Sequence, residues 1–287
     1  MKLTEIWLLE VPFNMNCSLK EHLKRYGIFD MDREKYWNWG GKKLGERKST
    51  RLNILREPIV KGYATEEDYL KFVEYISNPK VASVVHTMNY GGIYKCCEYM
   101  NNYIEGAKSI LDIGCNIGYG TTWFSLNHKN SYFTGCDVSS SSIKTAKMFS
   151  KKLRLNNVKF INESVTNLAL NEKIDLLISS QCLKYVEDGN NGLNSIKNYM
   201  HEDSNLICIE NLNSVNEVKE FISNVEKNGL YVNYFDFPII YKDLNDDLDT
   251  YPVIIISKSN KNYVFDLEDI FQKSVELLAK LEVKDII

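Results

Sequence analysis

Residues 109–137 read SILDIGCNIGYGTTWFSLNHKNSYFTGCD, and the layout of that stretch decides the fold. A short apolar run, Ile110 and Leu111, ends in Asp112. A turn bearing Gly114, Gly118 and Gly120 follows, then a helix-length stretch, then a second strand through Tyr132, Phe133 and Thr134 that closes on Asp137. A strand, a tight turn, a helix and a second strand ending in an acid make a nucleotide-binding half of a parallel sheet. The glycines let the backbone come close to a ligand, and the terminal carboxylate can accept from both hydroxyls of a ribose.

Two ligand classes use this layout. A dinucleotide site rests a pyrophosphate on the helix N-terminus and uses G-x-G-x-x-G. Here the order from Asp112 to Gly120 is Asp-x-Gly-x-Asn-x-Gly-x-Gly. An acid two residues before the first glycine repels a pyrophosphate, which argues against a nicotinamide dehydrogenase. It suits the amino group of an amino-acid-bearing nucleoside. The pattern resembles the first motif of the class I S-adenosyl-L-methionine (SAM) dependent methyltransferases, over Ser109 to Ser259, about half of the chain. The resemblance implies an α/β fold with a doubly wound, mainly parallel seven-stranded sheet of Rossmann-like type, and SAM as cofactor. Asn116 stands where that family most often has glycine. Asn is the non-glycine residue most tolerant of left-handed backbone angles, so the turn is expected to survive.

The rest of the chain divides around this unit. With 287 residues there is room for one domain of ordinary size and an appendage. At 44% hydrophobic and 25% charged residues, the composition is that of a folded globular protein rather than a disordered one. No apolar run is long enough to cross a bilayer, and the start, MKLTEIWLLEVPF, does not read as a signal peptide. Seven scattered cysteines without a C-x-x-C suit a reducing cytoplasm. The four histidines are far apart and none has metal-ligand spacing, so no metal is expected. Residues 1–105 read as a mainly helical N-terminal cap or substrate lid, 106–260 as the SAM-binding α/β domain, and 261–287 as a C-terminal helix. Within the cap, helices are expected over Glu66 to Ile76, about Val81 to Met88, and Ile93 to Ile104, with Gly91 and Gly92 as a break. Trp37 to Arg51, with three glycines and many charges, reads as a loop or mobile flap. Asp243 to Thr250 reads as an acidic exposed loop between two β-rich runs. The last helix carries an apolar stripe that packs on the domain or on a second copy in a homodimer.

Ligands of open α/β sheets sit beyond the carboxyl ends of the strands, so strand-end residues are the candidates. For the cofactor these are Asp112, Gly114, Cys115, Asn116 and Gly118 after the first strand, and Asp137 and Val138 after the second. Glu163, Ser164 and Val165 follow the third, where the family often has an acid for the adenine amino group, and Gln181 follows the fourth. Tyr90, ahead of the helix entering the sheet, is assigned by resemblance to the SAM carboxylate. Catalytic candidates are Tyr185, in the place of a family histidine, Glu210 at the end of the fifth strand, and His86 in the cap. A tyrosine with an ordinary pKa near ~10 donates better than it accepts, so base catalysis is not written plainly into the sequence. His86 among apolar neighbours reads either as a base or as a structural residue.

The expected acceptor is a small molecule, anionic or aromatic. The Asn/Asp-Pro-Pro-Tyr/Phe tetrapeptide of many base and glutamine methyltransferases is replaced by SSQCLKY at 179–185. A net charge of −3 also disfavours nucleic acid. That figure hides an asymmetry, since residues 1–62 hold 13 Lys/Arg against 8 Asp/Glu. The basic excess, centred on Arg33 to Lys61 with Tyr36, Trp37 and Trp39, keeps an RNA methyltransferase as an alternative; a solvated face is the other reading. The departures at Asn116, Ser164 and Tyr185 keep a third reading, a SAM-fold binding or assembly protein without turnover.

Overall fold

Continuous apolar runs can be buried on both faces at once, and here they form the centre of a seven-stranded sheet. The computed structural model describes residues 17–61, 63–183, 186, 189–245 and 247–284. Its strands are β1 (Ser109–Ile113), β2 (Tyr132–Cys136), β3 (Val158–Ile161), β4 (Ile174–Ser180), β5 (Met200–Ile209), β6 (Tyr231–Lys242) and β7 (Leu248–Ser257). They lie in the order β3-β2-β1-β4-β5-β7-β6. The first five pair in parallel, and β7 runs antiparallel to both β5 and β6. The order reverses between β1 and β4, which opens a crevice at their carboxyl ends. Helices α7 (Tyr119–Asn127), α8 (Ser140–Lys152), α9 (Gly189–Tyr199) and α10 (Val215–Lys227) connect the strands, and α11 (Leu267–Lys284) packs on β6 and β7.

Ahead of the sheet come α1 (Leu19–Arg25), α2 (Arg33–Leu44), α3 (Glu46–Val60), α4 (Glu66–Ile76), α5 (Pro79–Met88) and α6 (Tyr90–Asn101). The loop or flap expected at Trp37 to Arg51 is instead helix, interrupted only at Gly45, whose φ is 71°. Asp32 caps α2 by accepting from the Lys35 amide. Gly40 serves packing rather than a turn: a Cβ there would sit 3.3 Å from Val84 of α5. Gly91 and Gly92 likewise lie inside the first turn of α6 rather than breaking the chain. A Cβ on Gly91 would fall 2.3 Å from the Lys242 carbonyl oxygen, so these glycines let α6 press against the end of β6. The acidic run 243–250 is also shorter as a loop than expected, because β7 begins at Leu248.

The first helix belongs to the core of the sheet. Leu19, Leu23, Tyr26 and Ile28 are buried with Ile110 of β1, Phe124 of α7 and Phe133 of β2. The Tyr26 ring stacks on Phe149 of α8 with centroids 3.8 Å apart. Its hydroxyl lies 2.8 Å from Thr122 Oγ1 and 3.3 Å from the Gly118 carbonyl oxygen. Replacing Tyr26 with Ala is expected to destabilise the whole domain by about 3–5 kcal/mol, the scale of a buried aromatic truncation. Urea denaturation reads this out, as a single transition with an unchanged slope and a lower midpoint.

Candidate active site

The turn after β1 is built from residues whose backbone angles and neighbours leave few alternatives. Gly114 has a φ of +72°, and a Cβ there would lie 2.3 Å from Cys182 Sγ. The amides of Gly114 and Cys115 both donate to the Cys136 carbonyl at the end of β2, at 2.9 and 3.0 Å. Asn116 takes a φ of 51°, as its residue type allows, and its Oδ1 accepts from the Ile117 amide at 2.7 Å. Gly118, φ +79°, opens α7; a Cβ there would meet Ala146 of α8 at 2.7 Å.

Two carboxylates flank this turn. Asp112 accepts from Thr121 Oγ1 at 2.5 Å. Burial pushes its pKa up to about 6, against the pull of the Thr121 bond and with a further push from nearby Asp137. Asp137 accepts from the Asn116 amide at 2.9 Å and from the Ser139 amide at 2.8 Å. Burial raises its pKa as well, the two amides oppose the rise, and Glu74 adds to it. Val138 beside it is exposed. Asn162, which the sequence did not single out, donates to the carbonyls of Asp137 and Val138 and so holds this loop against the end of β3.

The remaining candidates are placed less uniformly. Glu163 is exposed, Ser164 Oγ accepts from Thr166, and the Val165 side chain is buried in the core while its carbonyl accepts from Tyr199. Gln181 takes a φ of 53°, donates its amide to the Ile209 carbonyl, and its side chain reaches Tyr251. Glu210 does not present its carboxylate to open crevice as expected. It is fully buried, and Oε1 accepts from the amides of Cys182 at 3.0 Å and Leu183 at 2.8 Å. That bonding makes it a strut of the turn after β4. His86 is buried edge-on to Tyr119, at 5.4 Å between centroids. Burial lowers its pKa to about 4, only partly offset by bonding to Asn116, so it is a weak proton acceptor. Tyr185 lies outside the described residues. Tyr90 stacks on Tyr94 at 5.8 Å and opens onto a cavity of about 540 Å³.

That cavity lies where the start of α6 meets the end of β6, and Asp30, Met31, Tyr94, Tyr241 and Leu244 also line it. Tyr241 stacks on Tyr251 at 4.8 Å. Since Tyr251 touches Gln181, one aromatic wall runs from the cavity to the turn after β4.

Two contacts from the N-terminal helices to this end of the sheet carry no sequence signature. His22 Nε2 donates to the Tyr119 carbonyl at 3.0 Å and also lies 3.0 Å from Thr122 Oγ1. Burial lowers its pKa to about 3 and keeps it neutral. Glu74 of α4 accepts from Ser139 Oγ at 2.8 Å and from Ser141 Oγ, at the start of α8. Among the described residues, no group of three His, Cys, Asp or Glu could hold a metal ion, and no helix is long and apolar enough to cross a membrane.

The seven-stranded sheet, with its crevice at the carboxyl ends of β1 and β4, has the Rossmann-like methyltransferase fold. A family model described as a methyltransferase domain matches residues 104–269, and the chain belongs to that family. It is 30% identical over 141 residues to "Putative methyltransferase 235L" of Invertebrate iridescent virus 6, covering 47% of this chain and 51% of that protein. It is 22% identical over 222 residues to (S)-coclaurine N-methyltransferase of Papaver somniferum, covering 71% of this chain and 63% of that protein. The chain therefore spans between about half and just under two thirds of these curated relatives. Among solved structures, an O-methyltransferase from a trans-AT PKS multienzyme of Brevibacillus brevis, in complex with S-adenosyl-L-homocysteine, aligns with a TM-score of 0.49. It is 12% identical and the alignment covers 65% of this chain and 79% of that one.

The raised pKa of Asp112 gives a stability signature. Its contribution is full below the unfolded value near ~3.9 and is lost as pH rises through about 6. Asp112→Asn should therefore be more stable than the parent at pH 8 by about 1–3 kcal/mol, with the gain vanishing below about pH 4. Chemical denaturation across pH checks this, and an equal difference at both ends would remove the explanation.

Proposed function

We propose that this protein transfers a methyl group from SAM to an oxygen or nitrogen, less readily a carbon, of a small-molecule acceptor. The supporting observation is the pair of carboxylates, Asp112 and Asp137, on either side of the Gly114–Gly118 turn at the mouth of the crevice. The residues present suit the cofactor. Asp112 is the partner for its ammonium group and Asp137 for the vicinal ribose hydroxyls. The backbone of Gly114, Cys115, Asn116 and Gly118 gives close approach, Val138 covers one face of the adenine, and Glu163, Ser164 and the Val165 backbone border its edge. Gln181 stands beside the methionine end.

When bound, SAM supplies an electrophilic methyl group on a sulfonium. The chain's own share of the work is to place the acceptor in line and keep water out. The cavity beside Tyr90, Tyr94 and Tyr241 is the acceptor site in this reading. Its size is within the range of small-ligand sites. Its stacked tyrosines favour a flat or aromatic acceptor. The helical segment 1–105 acts as lid and specificity element, and 106–260 holds the cofactor. Because His86 is a weak base and Glu210 is committed to backbone amides, proximity and desolvation carry the rate rather than general-base catalysis.

Calorimetric titration with SAM and, separately, NADH tests the cofactor reading: micromolar SAM binding without NADH binding is expected. Asp137→Ala should weaken SAM binding about tenfold or more, the scale of lost hydrogen bonds to a charged group; unchanged affinity in a folded variant would sink the ribose assignment. SAM affinity should also fall as pH drops below about 6, where Asp112 takes up a proton and stops pairing with an ammonium group. With an acceptor found by labelled-methyl screening, Tyr94→Ala should raise its KM about tenfold while leaving the SAM Kd within about twofold.

A further inference from the structure

We propose that the α2–α3 pair is a docking surface for single-stranded nucleic acid, gripped through its phosphodiester backbone and separate from the methyl-transfer crevice. From Arg33 to Lys61 the chain carries nine Lys/Arg and three Asp/Glu, in a protein whose net charge is −3. Core packing accounts for α2, which buries Tyr36 and Gly40, but not for α3, which contains no buried residue along its 15 positions. Lys48, Ser49, Leu52, Leu55, Pro58 and Ile59 are its half-buried positions, and α3 packs mainly on α4 and also on α2. The rest of its surface faces outward.

On that outward surface, Arg47 and Arg51 stand one helical turn apart on an open face of α3 that also carries Glu46, Thr50 and Ile54. Among the described residues neither arginine is in an ion pair. The Arg51 guanidinium lies over the Tyr75 ring at 5.4 Å, which fixes its stem. Two arginine forks on one face match successive phosphates, whose oxygens accept bidentate bonds from guanidinium. Trp37 of α2, 61% exposed, and Tyr63, just after α3 and 60% exposed, are aromatic rings of the kind on which unpaired bases stack.

A lipid surface fits less well. The exposed aliphatic residues of α3 are Ile54 and Val60, at 61% and 67%. At 3.6 residues per turn they point to different sides of the helix, whereas an interfacial helix needs its apolar residues along one stripe. Glu46 on the same face repels phosphate and narrows the contact to the Arg47–Arg51 side. RNA and DNA share the backbone chemistry, and the probe separates them.

The full-length chain is titrated against fluorescein-labelled U20 and dT20 by anisotropy, at about 50 and about 200 mM KCl, and against phosphatidylserine vesicles by flotation. Expected is binding of one or both oligonucleotides at low salt, weakening roughly tenfold at the higher salt, as neutralising about two to three phosphates, at ~0.7 counterion released for each, requires. Arg47→Glu with Arg51→Glu should raise the oligonucleotide Kd at least about tenfold, with thermal unfolding and SAM titration unchanged. Should that double variant not fold, Arg47→Gln alone should still raise the Kd by roughly threefold. Preference for U20 over dT20 assigns RNA, and equal binding assigns the backbone alone. Absence of binding at low salt, binding indifferent to the substitutions, or binding to vesicles but not to oligonucleotides would each overturn the proposal. The methyltransferase reading is decided separately by the SAM titration.

Discussion

One carboxylate holds the ligand end of this molecule together. Asp137 reaches back from β2 to the Asn116 amide and forward to the Ser139 amide, so one side chain fixes the turn after β1 and the start of α8. Everything around it is arranged to keep those two segments in register. Asn162 holds the loop from the β3 side, and Glu74 holds the first serines of α8 from the N-terminal helices. His22 and Tyr26 fasten the opening turn of α7. The result is a stiff frame of backbone amides and carbonyls, in keeping with a reaction that depends on alignment more than on proton transfer.

The electrostatics of the frame follow from burial. His22 and His86 are kept neutral, Asp112 is drawn upward, and the thiols of Cys96 and Cys136 are pushed up to about 12. Among the described residues Asp112 is the site carboxylate drawn toward neutrality, while the histidines nearby are held neutral, which is compatible with moving a group that is already activated. Free thiols around the crevice are accordingly apolar filler rather than nucleophiles.

The sheet was legible because its signals are local. Apolar runs of strand length, a turn with an acid and glycines at fixed offsets, and serines ahead of α8 each speak for a few residues at a time. The left-handed angle of Asn116 could be argued from residue type alone. The N-terminal helices were harder, because Gly40, Gly91 and Gly92 look like breakers in sequence and are contact points in space. Whether a glycine ends a helix or admits a neighbour depends on residues far along the chain, such as Val84 or Lys242. Glu210 misled for the same reason: a strand-end acid can face a crevice or a neighbouring turn, and only the path of the chain after β4 distinguishes them. The clamps made by His22, Tyr26 and Glu74 join residues 60 to 100 positions apart and leave no pattern in either segment.

The burial of α1 has a consequence for how the chain comes into being. Its partners Thr122 and Phe149 are made about a hundred residues later than Leu23 and Tyr26 themselves. During synthesis the first helix must therefore wait, with its apolar face uncovered, until β1, α7, β2 and α8 have emerged. Until then α1 keeps an apolar face without its partners, and that interval leaves the nascent chain open to aggregation.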